Sequence, residues 1–245
     1  MSTAFDLPRE RMLRVEAAEL AVSDEPHPYE AIHAPAVDDY WRRRTAENPA
    51  LFDGRILLFS RLVWRDGLLT GLCHRSRFAT FLHWRDREPD GTVEHVFGHA
   101  MPVTADDALV AVRMHGSTAN AGRVYFAAGS YEPEDISDGR VDVRANMLRE
   151  VGEETGIDLS PLDIDSTLHA WSSNGRTTLV RRFRLDQSAE ALCRKVANHV
   201  AAETDPEIVE AVVLRREGPA PEGLAPHMPP LLRWHFATPA TWVRP

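Results

Sequence analysis

One segment of this chain, Ala127 to Ile157, restricts its fold and chemistry more than any other. Its second half reads Arg149-Glu150-Val151-Gly152-Glu153-Glu154-Thr155-Gly156-Ile157. A helix turns about 100° per residue, so Glu150, Glu153 and Glu154, at i, i+3 and i+4, share an arc of about 100°. Leu148, Val151 and Thr155 fall on another side, where a core can form. Gly156 suits a left-handed helix C-cap, and Ile157 stands where a hydrophobic contact closes such a cap. The placement of the glutamates is costly in isolation. Like charges at i, i+4 cost a few tenths of a kcal/mol per pair, and the negative end of the helix dipole adds to that. A hard divalent cation resolves the conflict. Mg²⁺ takes carboxylate and water oxygens and bridges to phosphates. Arg149, one turn before Glu153, can pair with that carboxylate.

The rest of the composition excludes several classes. A net charge of −9 over 245 residues lacks the basic footprint of nonspecific nucleic-acid binding. It does not oppose a phosphorylated small molecule, because a bound divalent ion inverts the local charge balance. There is no apolar run of membrane-spanning length. The first twenty residues mix acids with bases and lack the apolar stretch of a signal peptide. The expected location is the cytoplasm, with no nucleic-acid or membrane partner; the oligomeric state is open, a homodimer included. Cys73 and Cys193, the two cysteines, cannot make a disulfide framework or a cysteine-rich zinc site.

Along the chain, the stretch to about Glu19 reads as helical, with Met12, Leu13, Val15, Ala17 and Leu20 among charges. Pro26, Pro28 and Pro35 interrupt regular structure, and a second helix is predicted from about Asp38 to Glu47. Arg55–Trp64 and Leu68–His74 flank Arg65-Asp66-Gly67, a hairpin turn. Further strands are predicted at Phe97–Val103, Ala108–Met114, Arg123–Ala127, Thr177–Leu185 and Ile208–Leu214. Helices are predicted at about Asp142–Thr155 and from Ser188, as N-cap, to about Glu203. The proline-rich tail leaves room for a short helix at Pro230–Phe236. Strands and helices do not alternate regularly, which indicates an α+β class with a mixed sheet packed between helices. With no convincing linker, residues 1–245 read as one domain with an N-terminal helical extension over 1–54.

Arg149 to Ile157 resembles, position by position, the second half of the Nudix box, Arg-Glu-aliphatic-x-Glu-Glu-x-Gly-aliphatic. The resemblance implies the Nudix fold, a mixed β-sheet sandwiched between helices (α/β/α), with the box region, 129–157, forming loop, helix and loop. It also implies hydrolysis of a nucleoside diphosphate linked to another moiety. By resemblance Glu150 and Glu154 are the metal ligands for Mg²⁺, or Mn²⁺ in its place. Glu153 is a further ligand or the group that orients water, and Arg149 is the structural partner. The first half departs from the pattern. A glycine belongs 14 residues before the arginine and a glutamate eight before it; Asp135 and Val141 occupy those positions. Gly129 is the better counterpart of the glycine, with an insertion falling around Tyr131–Arg140. Asp142 stands in for the missing glutamate or caps the helix. Tyr40-Trp41-Arg42-Arg43-Arg44, Asn48-Pro49-Ala50-Leu51-Phe52-Asp53-Gly54 and Gly129-Ser130-Tyr131-Glu132-Pro133-Glu134-Asp135 are similar to segments of Nudix proteins related to UDP-sugar diphosphatases. A UDP-sugar is therefore among the substrates implied, beside ADP-ribose or a dinucleotide.

Several residues outside the box are candidates. Glu207, at the start of the Ile208 strand, is the expected further metal ligand, chosen over Glu203 and Glu210. Arg75 and Arg77 suit phosphate oxygens, because guanidinium offers paired donors. His83-Trp84-Arg85 and the loop Trp171–Arg176 are candidates for substrate contact, with Trp171 able to stack on a base. His95 and His99 are spaced like helical zinc ligands, but the residues between them read as strand. No nucleophile elbow, Walker loop or dinucleotide fingerprint occurs.

Overall fold

The computed structural model describes residues 4–87 and 91–244. The chain divides into two compact units, each drawn from three separate stretches. One comprises Met1–Gly98, Ser130–Val143 and Ala170–Leu179; the other comprises His99–Gly129, Arg144–His169 and Val180–Pro245. Both combine helices with β-sheet, so the mixed α+β class predicted above is the one observed.

The first unit is organised by a long hairpin, Arg55–Arg65 with Leu68–Arg77. Its turn was legible because Asp66 (φ 47°) and Gly67 (φ 89°) both adopt positive φ, as a two-residue type I′ turn requires. The six-stranded sheet runs Phe5–Asp6, Arg55–Arg65, Leu68–Arg77, Ala17–Ser23, Arg140–Val141, Ile136–Ser137. The first helix, α1, spans Pro28–Glu47, starting ten residues earlier than predicted. Pro28 fits its first turn, where no N–H is needed, and the His27 ring accepts from Tyr29 N–H as the N-cap. A second helix, α2, covers Phe78–Arg85 and packs against α1.

Two sequence expectations are corrected here. The stretch before Glu19 is not helical but forms strands Met12–Val15 and Ala17–Ser23. Leu13 and Val15 alternate inward, and Ala17–Ser23 pairs in parallel with Leu68–His74. That long-range ladder outweighs local helical propensity. His83-Trp84-Arg85 is no loop: it ends α2, with the His83 and Trp84 side chains buried.

The insertion in the box also lies in this unit. Glu132 and Asp135 form a capping box around the short turn Pro133–Asp135. Ile136–Ser137 and Arg140–Val141 then make a small hairpin on the sheet edge, with Arg140 opposite Ala21.

The second unit holds a sheet in the order Ile208–Leu214, Leu109–Met114, the 99–103 stretch, the 180–184 stretch, Ile164–Asp165, Trp242–Val243; Val124–Tyr125 pairs with Leu109–Met114. Helix α3 spans Val143–Thr155, its residues from Arg144 onward belonging to this unit. Helix α4, Ala189–Ala202, starts at Ser188, whose hydroxyl accepts from Ala191 N–H as predicted. Leu192 and Val196 bury its apolar face, and α4 packs on Ile208–Leu214. Helix α5 covers Met228–Ala237. Among the described residues, no helix is long and apolar enough to cross a membrane.

Candidate metal and substrate site

The glutamate arc of α3 is built as its spacing dictates. Met147 and Val151 turn into the core, while Glu150 and Glu154, one turn apart, are also buried, at 7% and 8% exposure. Glu153 points outward, its side chain 60% exposed. The helix ends where predicted. Gly156 takes φ 67° and donates its N–H to Gly152 O at 2.9 Å, and buried Ile157 follows.

Gly129 lies directly against this arc. A β-carbon there would come 2.3 Å from Glu150 Oε1 and 2.5 Å from its Oε2. Only a residue without a side chain leaves Glu150 its present position. Beside it, the backbone of Ala128 donates a hydrogen bond to Glu154. Arg149 pairs with Glu150 Oε1 at 2.7 Å and with Glu153 Oε2 at 2.9 Å. The one guanidinium thus gathers two of the three carboxylates.

Glu154 is the unresolved charge of the group. Its Oε2 is buried and has no hydrogen-bond partner. Burial holds its pKa well above the usual carboxylate range, and the charges of Glu150, Glu207 and Glu153 push it further the same way. Glu207 is raised as well, by burial first and then by Glu153 and Asp205. It precedes the strand Ile208–Leu214, where its carbonyl accepts from His115 N–H at 2.8 Å. Of the three glutamates weighed for this role, Glu207 is the one whose charge acts on Glu154. Glu210 is held by Arg113, and Glu203 lies 3.6 Å from His199.

Two further residues belong to this neighbourhood and carried no sequence signal of it. His199 on α4 donates from Nε2 to the carbonyl of Glu153 at 2.8 Å. It satisfies a helix-end acceptor that would otherwise lack an intrahelical donor. Gly156 leaves space for that ring: a β-carbon there would sit 2.7 Å from His199 Nδ1. Tyr125 is buried in the short strand before Gly129. Burial and the charges of Glu154, Glu207 and Glu150 raise its phenol pKa, against a hydrogen bond from Asn120 Nδ2 at 3.1 Å. An aromatic residue in an apolar strand reads as core, so only the fold reveals its position.

These residues suit a hard divalent cation. Glu154 and Glu207, both raised by burial and by neighbouring carboxylates, the first with an unpartnered oxygen, have the chemistry of oxygen ligands for such an ion. Glu150, Glu154 and Glu207 are the candidates to hold one. Among the described residues no three such groups are already closed around a point; Arg149 draws Glu150 and Glu153 toward itself instead.

Arg75, Arg77, Trp171, Asp142 and His95 lie in the first unit. Arg77 is engaged by Asp38 at 2.5 Å and Asp53 at 2.7 Å, and Arg75 pairs with Asp24 at 3.3 Å. Trp171 lies in the strand Leu168–Ser173, with its indole N–H buried. The predicted loop after it is the tight turn Asn174-Gly175. Asp142 directly precedes α3, and its backbone N–H donates to Asp135 O at 2.8 Å. His95 and His99 lie on the strand His95–Val103, the conformation that the residues between them predict.

No family model matches the chain, and no curated protein matches it. Solved structures do. The MutT protein of Methanosarcina mazei Go1 is 17% identical, with 49% of this chain and 75% of that one covered at a TM-score of 0.32. The E. coli ORF135 protein is 20% identical, over 59% and 91%, at 0.34. The Nudix domain of Shewanella oneidensis NrtR, solved with ADP ribose, is 13% identical, over 49% and 72%, at 0.31. In this chain the segment Arg149–Ile157 runs along α3 to its end, with its arginine on two glutamates and Gly129 against Glu150.

Proposed function

We propose that this protein is a metal-dependent hydrolase that cleaves the diphosphate linkage of a nucleoside diphosphate joined to another moiety. One observation carries the reading: a buried glutamate oxygen, Glu154 Oε2, stands unpartnered within a group of four glutamates. A fold has no stability to gain from that arrangement unless a cation completes it. Mg²⁺ or Mn²⁺ bound there would neutralise diphosphate oxygens and lower the pKa of water.

The protein's own groups have separable tasks. Glu150 and Glu154 bind, with Glu207 as the further ligand. Gly129 allows the backbone to approach Glu150. Arg149 holds Glu150 and Glu153 in place. Glu153 keeps one oxygen on Arg149 and exposes the rest of its carboxylate. It is the group we assign to orient the attacking water and take its proton. Water attacks phosphorus, the bond to the bridging oxygen breaks, and a nucleoside monophosphate and a phosphorylated remainder leave. Arg77 has no part in this assignment, since its guanidinium is already held between two aspartates.

A UDP-sugar is the substrate we favour, on the sequence similarity of Tyr40–Gly54 and of Gly129–Asp135. The test is a panel of UDP-glucose, ADP-ribose and dinucleoside diphosphates with Mg²⁺ or Mn²⁺, read by phosphate release after phosphatase coupling. Turnover by wild type and its loss in Glu154→Gln are expected. Nucleotide binding with equal, null turnover in both would instead mark a binding module.

A further inference from the structure

We propose that Tyr125 is a substrate-positioning residue, donating its phenol proton to an anionic phosphoryl oxygen held beside the glutamates. The inference rests on the diphosphate-hydrolase reading above and adds a donor to a site so far composed of acceptors.

Its geometry is specific. Tyr125 lies opposite Val112 in the sheet, three residues before Ala128 and four before Gly129. Those two residues touch Glu154 and Glu150 respectively. The ring is fixed by His99 and His227, each with its centroid 6.1 Å away, and these two imidazoles are joined through their Nε2 atoms at 2.9 Å. At the hydroxyl, Asn120 Nδ2 donates from 3.1 Å. That bond occupies the oxygen as an acceptor. Among the described residues no acceptor receives the phenol's own proton.

A buried hydroxyl normally completes both its roles. Tyr125 therefore has an unmet donor, while Glu154 Oε2 has an unmet acceptor, and the charge of Glu154 acts on this phenol. A cation satisfies the carboxylate and leaves the phenol unmatched. An anionic oxygen satisfies the phenol but is repelled by the glutamates. A diphosphate carried by a divalent cation meets both needs at once.

The test separates the phenol from the metal. Mn²⁺ binding to the full chain is measured by electron paramagnetic resonance, and binding of inorganic pyrophosphate in saturating Mn²⁺ by calorimetry. Tyr125→Phe should keep Mn²⁺ affinity within about twofold and weaken pyrophosphate by about tenfold, the scale of one lost hydrogen bond to a charged group. Asn120→Ala, which frees the hydroxyl to turn, should fall between wild type and Tyr125→Phe, with thermal midpoints close to wild type for both. A merely structural role would weaken metal and pyrophosphate alike, and that result overturns the proposal. Equal pyrophosphate affinity in wild type and Tyr125→Phe, with Mn²⁺ bound, overturns it while sparing the hydrolase reading. Failure of wild type to bind Mn²⁺ overturns both.

Discussion

Gly129 and Glu150 are in such close contact that a single methyl group at position 129 would come within 2.3 Å of the glutamate oxygen. The loop before the box and the helix within it are thereby locked together at one carboxylate. Because the obstructing atoms are the tip of a flexible side chain, the conflict is relieved by moving Glu150.

Gly129→Ala should therefore leave the fold nearly intact, with a stability change of about 1 kcal/mol or less. Glu150 is displaced, so Mn²⁺ affinity and hydrolysis should drop by about tenfold or more, a barrier change of over about 1.4 kcal/mol. Calorimetric Mn²⁺ titration beside a urea unfolding curve checks both halves. Unchanged affinity would show that Glu150 does not ligate.

Glu154→Gln removes the charge that its neighbours oppose. The metal-free variant should be more stable than wild type by about 1 kcal/mol. Added Mn²⁺ should raise the thermal midpoint of wild type, since ligand binding to the native state stabilises it, and should leave the variant unmoved. Chelator should bring wild type back to its metal-free midpoint. A variant less stable than wild type without metal would contradict the electrostatic account of the site.

Buried histidines set a pH dependence. Burial lowers His27 to about 4, His95 to about 3 and His235 to about 4, against about 6.5 when unfolded. The unfolded chain then binds more protons than the native one below pH 6.5, so stability rises with pH. These groups contribute fully above about pH 6.5, and their contribution is lost as pH falls toward their folded values. Each adds up to about 1.4 kcal/mol per pH unit to the slope. Glu154, raised in the native state, acts in the opposite sense, so the slope is read most cleanly in Glu154→Gln. Urea unfolding between pH 5 and 7 should show it, and a flat profile would refute it.

Arg182 and Asp165 form a buried ion pair, their side chains 2% and 4% exposed. The same guanidinium binds the carbonyls of Thr238 and Pro239 and stacks over Trp234 at 4.6 Å. Arg182→Met strands a buried carboxylate and two carbonyls, and should cost about 3–5 kcal/mol. Arg182→Met with Asp165→Leu should recover part of that loss. Chemical denaturation of the single and double variants decides it.

Local signals made much of the second unit and the long hairpin readable in advance. The Asp66-Gly67 turn, the Ser188 cap of α4 and the Glu150–Gly156 helix end each depend on a few adjacent residues, whose φ preferences and capping chemistry are written in the chain. The strands Met12–Val15 and Ala17–Ser23 were misread because their charges and apolar residues also suit a helix. In Ala17–Ser23, what selects strand is pairing with Leu68–His74, some fifty residues away. The box insertion was detected from its broken register, but its form as an edge hairpin depends on Ala21.

The chain by itself determined which side chains share an arc of α3 and where that helix stops, since helical geometry follows from sequence spacing alone. Tertiary structure decided what surrounds the arc: Gly129 beneath Glu150, Glu207 and Tyr125 around Glu154, and His199 on the Glu153 carbonyl. Those neighbours arrive through sheet pairing and helix packing between distant segments. Burial, which sets these glutamates apart from an ordinary solvated run, exists only once those segments have come together.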